Sequence, residues 1–208
     1  MDDPRKSYDL VAAEYAAQFK GELTHKPFDR KMLDLLAERV EAGELLCDVG
    51  CGPGHVAGYL QERGQRVLGI DLSDAMVREA RTLFPAVTFQ QGDMLDLGEL
   101  ADASVGGMAA LYSLIHVPRE QVAQALGTMR RVLRRGAPLL ISFHVGREVV
   151  HRDEWWGKLV DLDFRFLVTG EVQEALVAAD FKVQEAIERS PYPEEYPSRR
   201  GYVFARAR

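Results

Sequence analysis

The stretch DVGCGPG at residues 48–54 constrains this chain more than any other. It closes a short apolar run, and such a run ending in glycines reads as a buried strand passing into a tight turn. Glycines at 50, 52 and 54 let the backbone bend sharply and approach a ligand without Cβ clashes. A dinucleotide-binding turn has the spacing G-x-G-x-x-G, whose third glycine would stand at position 55. His55 stands there instead, which disfavours pyrophosphate.

After this turn, strand and helix patterns alternate. HVAGYLQERG (55–64) reads as a helix closed by Gly64, and RVLGIDL (66–72) as a second strand. Ser73 caps a helix that stops before Pro85, and VTFQQ (87–91) is a third strand. VGGMAALYSL (105–114) is a fourth strand, a helix runs from Pro118 to Leu133, and PLLISFHV (138–145) is a fifth strand. Ahead of the turn, residues 4–19 and 26–41 carry helical periodicity. Residues 147–168 read as aromatic-rich and irregular, and Glu171–Ala179 as a helix. FKVQEAIER (181–189) and GYVFARAR (201–208) have no helix between them, so they can pair antiparallel. The expectation is an α/β fold: one domain over 1–208, with a mostly parallel seven-stranded sheet, an antiparallel C-terminal hairpin and helices on both faces.

Composition narrows the partners. Hydrophobic residues make up 47% and charged residues 28%, ordinary for a globular chain. No apolar run approaches the roughly 20 residues that span a bilayer, so no membrane partner is expected. MDDPRKSYDL lacks the apolar region of a secretory signal, and cytoplasmic residence is the default. Cys47 and Cys51 are too few for a disulfide framework or a zinc site, and no metal is expected. The net charge is −6. One basic cluster, Arg130–Arg131 with Arg134–Arg135, sits late in a helix where cations suit the dipole. Nucleic acid is therefore not an expected partner.

In an open α/β sheet, ligands bind beyond the carboxyl ends of the strands. Asp48 lies at the end of the first strand, Asp71 at the end of the second, and Asp93 just after the third. An anion beside the glycine turn would repel pyrophosphate and suit an ammonium. Asp71, 23 residues after Asp48, is near the spacing of a ribose-hydroxyl acceptor. Three such carboxylates suit a cationic nucleoside.

DVGCGPG (48–54), GIDLS (69–73), GDM (92–94) and ALYSLIHVPRE (110–120), in this order, resemble the class I S-adenosylmethionine-dependent methyltransferase family, small-molecule type. The resemblance implies a Rossmann-like sheet with residues 45–145 as the cofactor-binding core. It implies S-adenosyl-L-methionine as cofactor and S-adenosyl-L-homocysteine as product. Gly50, Cys51, Gly52 and Gly54 would form the turn beside the methionine part, with Asp48 helping to anchor the ammonium. Asp71 would accept the ribose hydroxyls, and Leu72 and Met76 would lie against the adenine. Asp93 would take the adenine amine, the Met94 backbone would face the ring edge, and the Leu111 carbonyl would face the amino group. YDLVAAEYAAQF (8–19) resembles the family's lid helix, making residues 1–41 a lid region that closes Tyr8 and Tyr15 over the cofactor.

Methyl transfer from a sulfonium is an in-line displacement of an activated methyl, so the protein aligns the acceptor and excludes water. A base is needed only for a nucleophile protonated at neutral pH. His116, in SLIHVP after the fourth strand, is the catalytic candidate; a histidine there can also pack beneath the cofactor. Residues 146–208 would face the substrate and close the sheet. Among them His144, Trp155, Trp156, Arg165 and Arg199 are substrate-binding candidates, the arginines for an anionic acceptor. The expected activity is methylation of O, N or S of a small metabolite, by a monomer or homodimer. Two alternatives stay open: a cofactor-binding protein that does not transfer, and a protein or RNA methyltransferase.

Overall fold

A computed structural model describes residues 4–98 and 100–208. Its centre is β1 (Leu45–Val49), flanked by β2 (Arg66–Asp71) on one side and β4 (Gly107–Leu111) on the other. β3 (Thr88–Gln91), β5 (Pro138–His144), β8 (Phe181–Arg189) and β9 (Arg200–Ala207) complete a sheet in the order β3-β2-β1-β4-β5-β9-β8. The first five strands run parallel; β9 lies antiparallel to β5 and β8 antiparallel to β9. This is the expected seven-stranded sheet.

Alternate residues of the strands feed two apolar layers. Cys47, Val49, Met108, Ala110, Leu139 and Ile141 pack with α5 (Val122–Val132) and α6 (Thr169–Ala178). Leu46, Ala109 and Leu140 pack with α2 (Pro27–Arg39) and α3 (His55–Glu62) on the other face. Burial on both sides explains why the central strands read as continuous apolar runs. Gly64, at φ +81°, ends α3 in the left-handed conformation. The Ser73 hydroxyl accepts the Met76 amide at 3.1 Å and caps α4 (Asp74–Leu83).

Three boundaries differ from expectation. β4 stops at Leu111 because Tyr112 takes a left-handed φ of +51° and residues 114–116 form a 3-10 turn. The helix expected from Pro118 begins as a 3-10 turn at 119–121 before α5. Residues 147–168, read as irregular, form a hairpin of β6 (Val149–Trp155) and β7 (Lys158–Arg165), separate from the main sheet. Trp156 and Gly157 make its two-residue turn at φ +53° and +75°. Both φ angles are positive, as a twisted hairpin needs, but Trp-Gly lacks the Asn-Gly signature that would reveal it.

The first helix, α1 (Pro4–Phe19), bridges that hairpin and α4. Asp9 accepts the Ser73 hydroxyl at 2.6 Å and the Ala75 amide at 3.1 Å, which fixes α1 to the start of α4. On its other side, Val11 packs with Val160 and Leu162 of β7. Ser7 accepts the Asp161 amide at 2.9 Å. Among the described residues, no helix is long and apolar enough to cross a membrane.

Candidate active site

The strand order reverses direction at β1 and β4, since the chain first builds outward through β2 and β3 and then returns to the other side. No crossover helix covers such a switch point, so a crevice opens there at the carboxyl ends. A cavity of about 750 Å³ fills it. Its wall contains Tyr8, Tyr15, Asp48, Gly50, Cys51, Gly52, Asp71, Leu72, Met76, Asp93, Met94, Leu111, His116 and Arg165 of the residues singled out from sequence.

Gly50, at φ +72°, starts the turn, and its amide donates to the Ile70 carbonyl at 2.7 Å. A Cβ at Gly50 would lie 2.3 Å from Ser113 Cβ, so only glycine fits between the two strand ends. Gly54 contributes from behind the wall. It enters α3 at φ +85°, and a Cβ there would meet the Phe89 ring at 2.7 Å.

Asp71 ties the turn to the next helix. One carboxylate oxygen accepts the Gly52 amide at 2.8 Å and the other the Ser73 amide at 2.9 Å. Each oxygen keeps a second lone pair for a ligand hydroxyl. Burial raises its pKa to about 6 against those two amides, and Asp9 adds to the rise. Asp48 is 2% exposed, and its Oδ2 has no hydrogen-bond partner among the described residues. Burial raises its pKa to about 7, opposed by His55 and reinforced by Asp71. A buried carboxylate this reluctant to ionise gains most from an incoming cation. Asp93 is exposed, and its Oδ1 accepts the Leu95 amide at 2.8 Å.

α1 and the hairpin roof the cavity. Tyr8 and Tyr15 hang from α1, and Trp155 backs both rings at centroid distances of 6.3 and 5.6 Å. Trp155 and Trp156 stack on each other at 4.6 Å. Neither tryptophan is part of the cavity wall. They brace the roof from outside, and burial pushes both tyrosine hydroxyls up from their usual pKa.

His116 is committed at both ring nitrogens. Nδ1 lies 3.1 Å from the Asp163 carbonyl, which can only accept, so the proton sits on Nδ1. Nε2 is then the acceptor for the Tyr8 hydroxyl at 2.8 Å. Burial lowers the His116 pKa to about 4, with the Arg165 charge adding to the fall. These contacts make His116 a latch between β4, α1 and β7 and leave neither nitrogen open to an acceptor proton.

The other substrate-binding candidates are not brought together. Arg165 reaches the wall with its charge spent on Asp163 at 2.8 Å and a bond to the His116 carbonyl at 3.3 Å. His144 lies outside the wall, stacked on Phe166 at 5.1 Å and bonded to the Ser198 hydroxyl at 2.8 Å. Burial and the Arg200 charge hold its pKa at about 3. Arg199 pairs with Glu188 at 3.1 Å on the surface.

The wall residues that were not site candidates from sequence include Glu22, Asp29, His55, Tyr112 and Ser113. Tyr112 and Ser113 directly follow Leu111, and His55 follows Gly54, so position along the motifs could have found these three. Glu22 and Asp29 carry no local signal. Docking of a 3-10 turn at 22–25 and of α2 against the strand ends brings them in.

The crevice at the switch point, where Asp48 and Asp71 form no salt bridge among the described residues, is the place at which an open α/β sheet binds its ligand. Residues 46–136 match the family model described as "Methyltransferase domain". The domain belongs to the class I S-adenosylmethionine-dependent methyltransferase family. A probable S-adenosylmethionine-dependent methyltransferase of Mycolicibacterium smegmatis is 30% identical over 152 residues, 70% of this chain and 55% of that protein. An O-methyltransferase of Aspergillus sclerotiorum is 35% identical over 108 residues, 49% of this chain and 40% of that protein. The chain thus spans about half or less of the curated relatives it matches. The solved magnesium protoporphyrin IX methyltransferase of Synechocystis, with bound S-adenosylmethionine, shares the fold. Its TM-score is 0.73 at 21% identity, covering 98% of this chain and 95% of that one.

Proposed function

We propose that this protein transfers the methyl group of S-adenosylmethionine to a small-molecule acceptor held in the roofed cavity. The observation that carries the reading is the convergence on one crevice of Asp48, buried with an unpartnered Oδ2 among the described residues, and Asp71, half-buried and bonded to two amides, both raised in pKa. The residues present fit the cofactor: Asp48 Oδ2 has no partner among the described residues, and Asp71 presents lone pairs beside a turn where only glycine fits. When bound, the cofactor supplies a methyl group activated by its positive sulfur. Asp48 holds the ammonium, Asp71 holds the ribose diol, and Leu72, Met76 and Met94 enclose the base. Tyr8 and Tyr15 exclude water from above, with the Tyr8 hydroxyl fixed by His116.

The volume supports a metabolite-sized acceptor, since about 750 Å³ lies in the range of small-ligand sites. The roof supports it too: α1 and the hairpin cover one side of the cavity, which suits a small acceptor. Incubation with methyl-labelled S-adenosylmethionine and a metabolite extract tests the reading. A labelled small product together with S-adenosylhomocysteine is expected. Tight cofactor binding with no methylated product would refute transfer.

A further inference from the structure

Two histidines line the cavity, and they differ in what their ring nitrogens have left to offer. His116 is saturated by the Asp163 carbonyl and the Tyr8 hydroxyl. His55, the first residue of α3, has Nε2 3.5 Å from Glu22 Oε2, while its Nδ1 is buried with no hydrogen-bond partner among the described residues. Glu22 is firmly ionised. Burial would raise its pKa, but His55 and Lys26, the latter at 2.7 Å, hold it at about 2. A carboxylate can only accept, so it draws the imidazole proton to Nε2 and leaves the Nδ1 lone pair open. An imidazole oriented at one nitrogen by a carboxylate and unpartnered at the other is the arrangement of a general base. The contact to Glu22 is long, as such contacts often are before a ligand closes the site.

We infer that His55, oriented by Glu22, is the general base, and that the acceptor is methylated at a hydroxyl or an amine nitrogen. This rests on the transferase reading and names its substrate class. A carboxylate acceptor needs no base, whereas a hydroxyl or an amine gives up a proton, and His55, a wall residue, keeps an unpartnered lone pair at Nδ1 among the described residues. In the step, the acceptor's lone pair forms the new bond to the methyl carbon while the carbon–sulfur bond breaks and its electron pair remains on sulfur. The acceptor's proton moves to His55 Nδ1. The imidazolium charge is held by Glu22 and by Asp48, whose carboxyl already feels His55, against the positive end of α3. The proton then leaves to water.

The test uses the wild-type protein, His55→Gln and Glu22→Gln with methyl-labelled S-adenosylmethionine and a metabolite extract. The labelled product is treated with mild alkali, which cleaves a methyl ester and spares a methyl ether or methylamine. The expected result is an alkali-stable product, formed about 100-fold or more slowly by His55→Gln. His55→Gln should still bind S-adenosylhomocysteine by calorimetry, which also reports that the variant is folded. Nitrogen NMR of wild-type His55 should show the proton on Nε2, and Glu22→Gln should lose that preference. An alkali-labile ester, an unimpaired His55→Gln or a proton on Nδ1 would overturn the inference and leave the transferase reading standing. A wild-type protein that binds no S-adenosylhomocysteine and labels nothing would remove that reading and the inference with it.

Discussion

Cofactor affinity should fall steeply as the solution is acidified from pH 8 to pH 6. Asp48 and Asp71 have pKa values raised by burial to about 7 and about 6, and both must be ionised to hold the ligand's ammonium and diol. At pH 8 both are almost fully ionised. At pH 6 about a tenth of Asp48 and half of Asp71 remain so, which weakens binding by about 20-fold in all, or about 1.8 kcal/mol. The groups facing the pair are His55 and the Ala57 amide for Asp48, and Asp9 with the Gly52 and Ser73 amides for Asp71. Without ligand the sign reverses: the folded carboxyls hold protons that the unfolded chain releases near pH 4, so stability falls as pH rises through 6 and 7. Calorimetry with S-adenosylhomocysteine, in two buffers of different ionisation heat, should show about half a proton released on binding at pH 7. Equal affinity at pH 6 and 8 with no proton released would refute the assignment of these carboxylates.

Asp71→Asn must turn an amide group toward the Gly52 or the Ser73 amide, leaving a donor without its acceptor. Thermal unfolding should show a loss of about 1–3 kcal/mol, and S-adenosylhomocysteine should bind about tenfold or more weakly; unchanged affinity would mean the ribose lies elsewhere. Gly50→Ala faces Ser113 Cβ at 2.3 Å as well as a φ of +72°, whereas Gly43→Ala, at φ +84°, meets nothing within 4 Å. Chemical denaturation should therefore show Gly43→Ala losing about 1 kcal/mol and Gly50→Ala at least twice that. Tyr8→Phe removes the donor to His116 Nε2 and should speed S-adenosylhomocysteine dissociation by about 2- to 10-fold in stopped flow; an unchanged rate would show that the latch does not hold the roof.

The parallel core was legible because each of its elements announces itself locally. Cys47 to Gly50 reads as a buried strand meeting a turn, Ser73 caps its helix, and Gly64 ends the one before. Asp48 and Asp71 were legible because a strand end is a fixed place in such a fold. The hairpin of β6 and β7 was not legible. β6 is mostly exposed and carries no apolar alternation, and Trp156–Gly157 is an unusual turn pair, whereas β7 does alternate Val160, Leu162 and Phe164 with Asp161, Asp163 and Arg165 but had no legible partner strand. Trp155 looked like a substrate contact because an aromatic's chemistry is visible in sequence, whereas the side of the wall it occupies is not.

By itself the sequence determined the glycine turn, the parallel strands implied by its alternation, and the carboxylates that suit a cationic nucleoside. These depend on spacing within short segments and on backbone sterics, which are local. Tertiary structure decided everything that depends on segments far apart meeting. It spent His116 on Tyr8 and Asp163, 108 and 47 residues away, and set Glu22 against His55. It also paired Arg199 with Glu188 of β8. Hydrogen-bonding capacity is visible in a residue's type, but whether that capacity is already used is settled only by its neighbours in space.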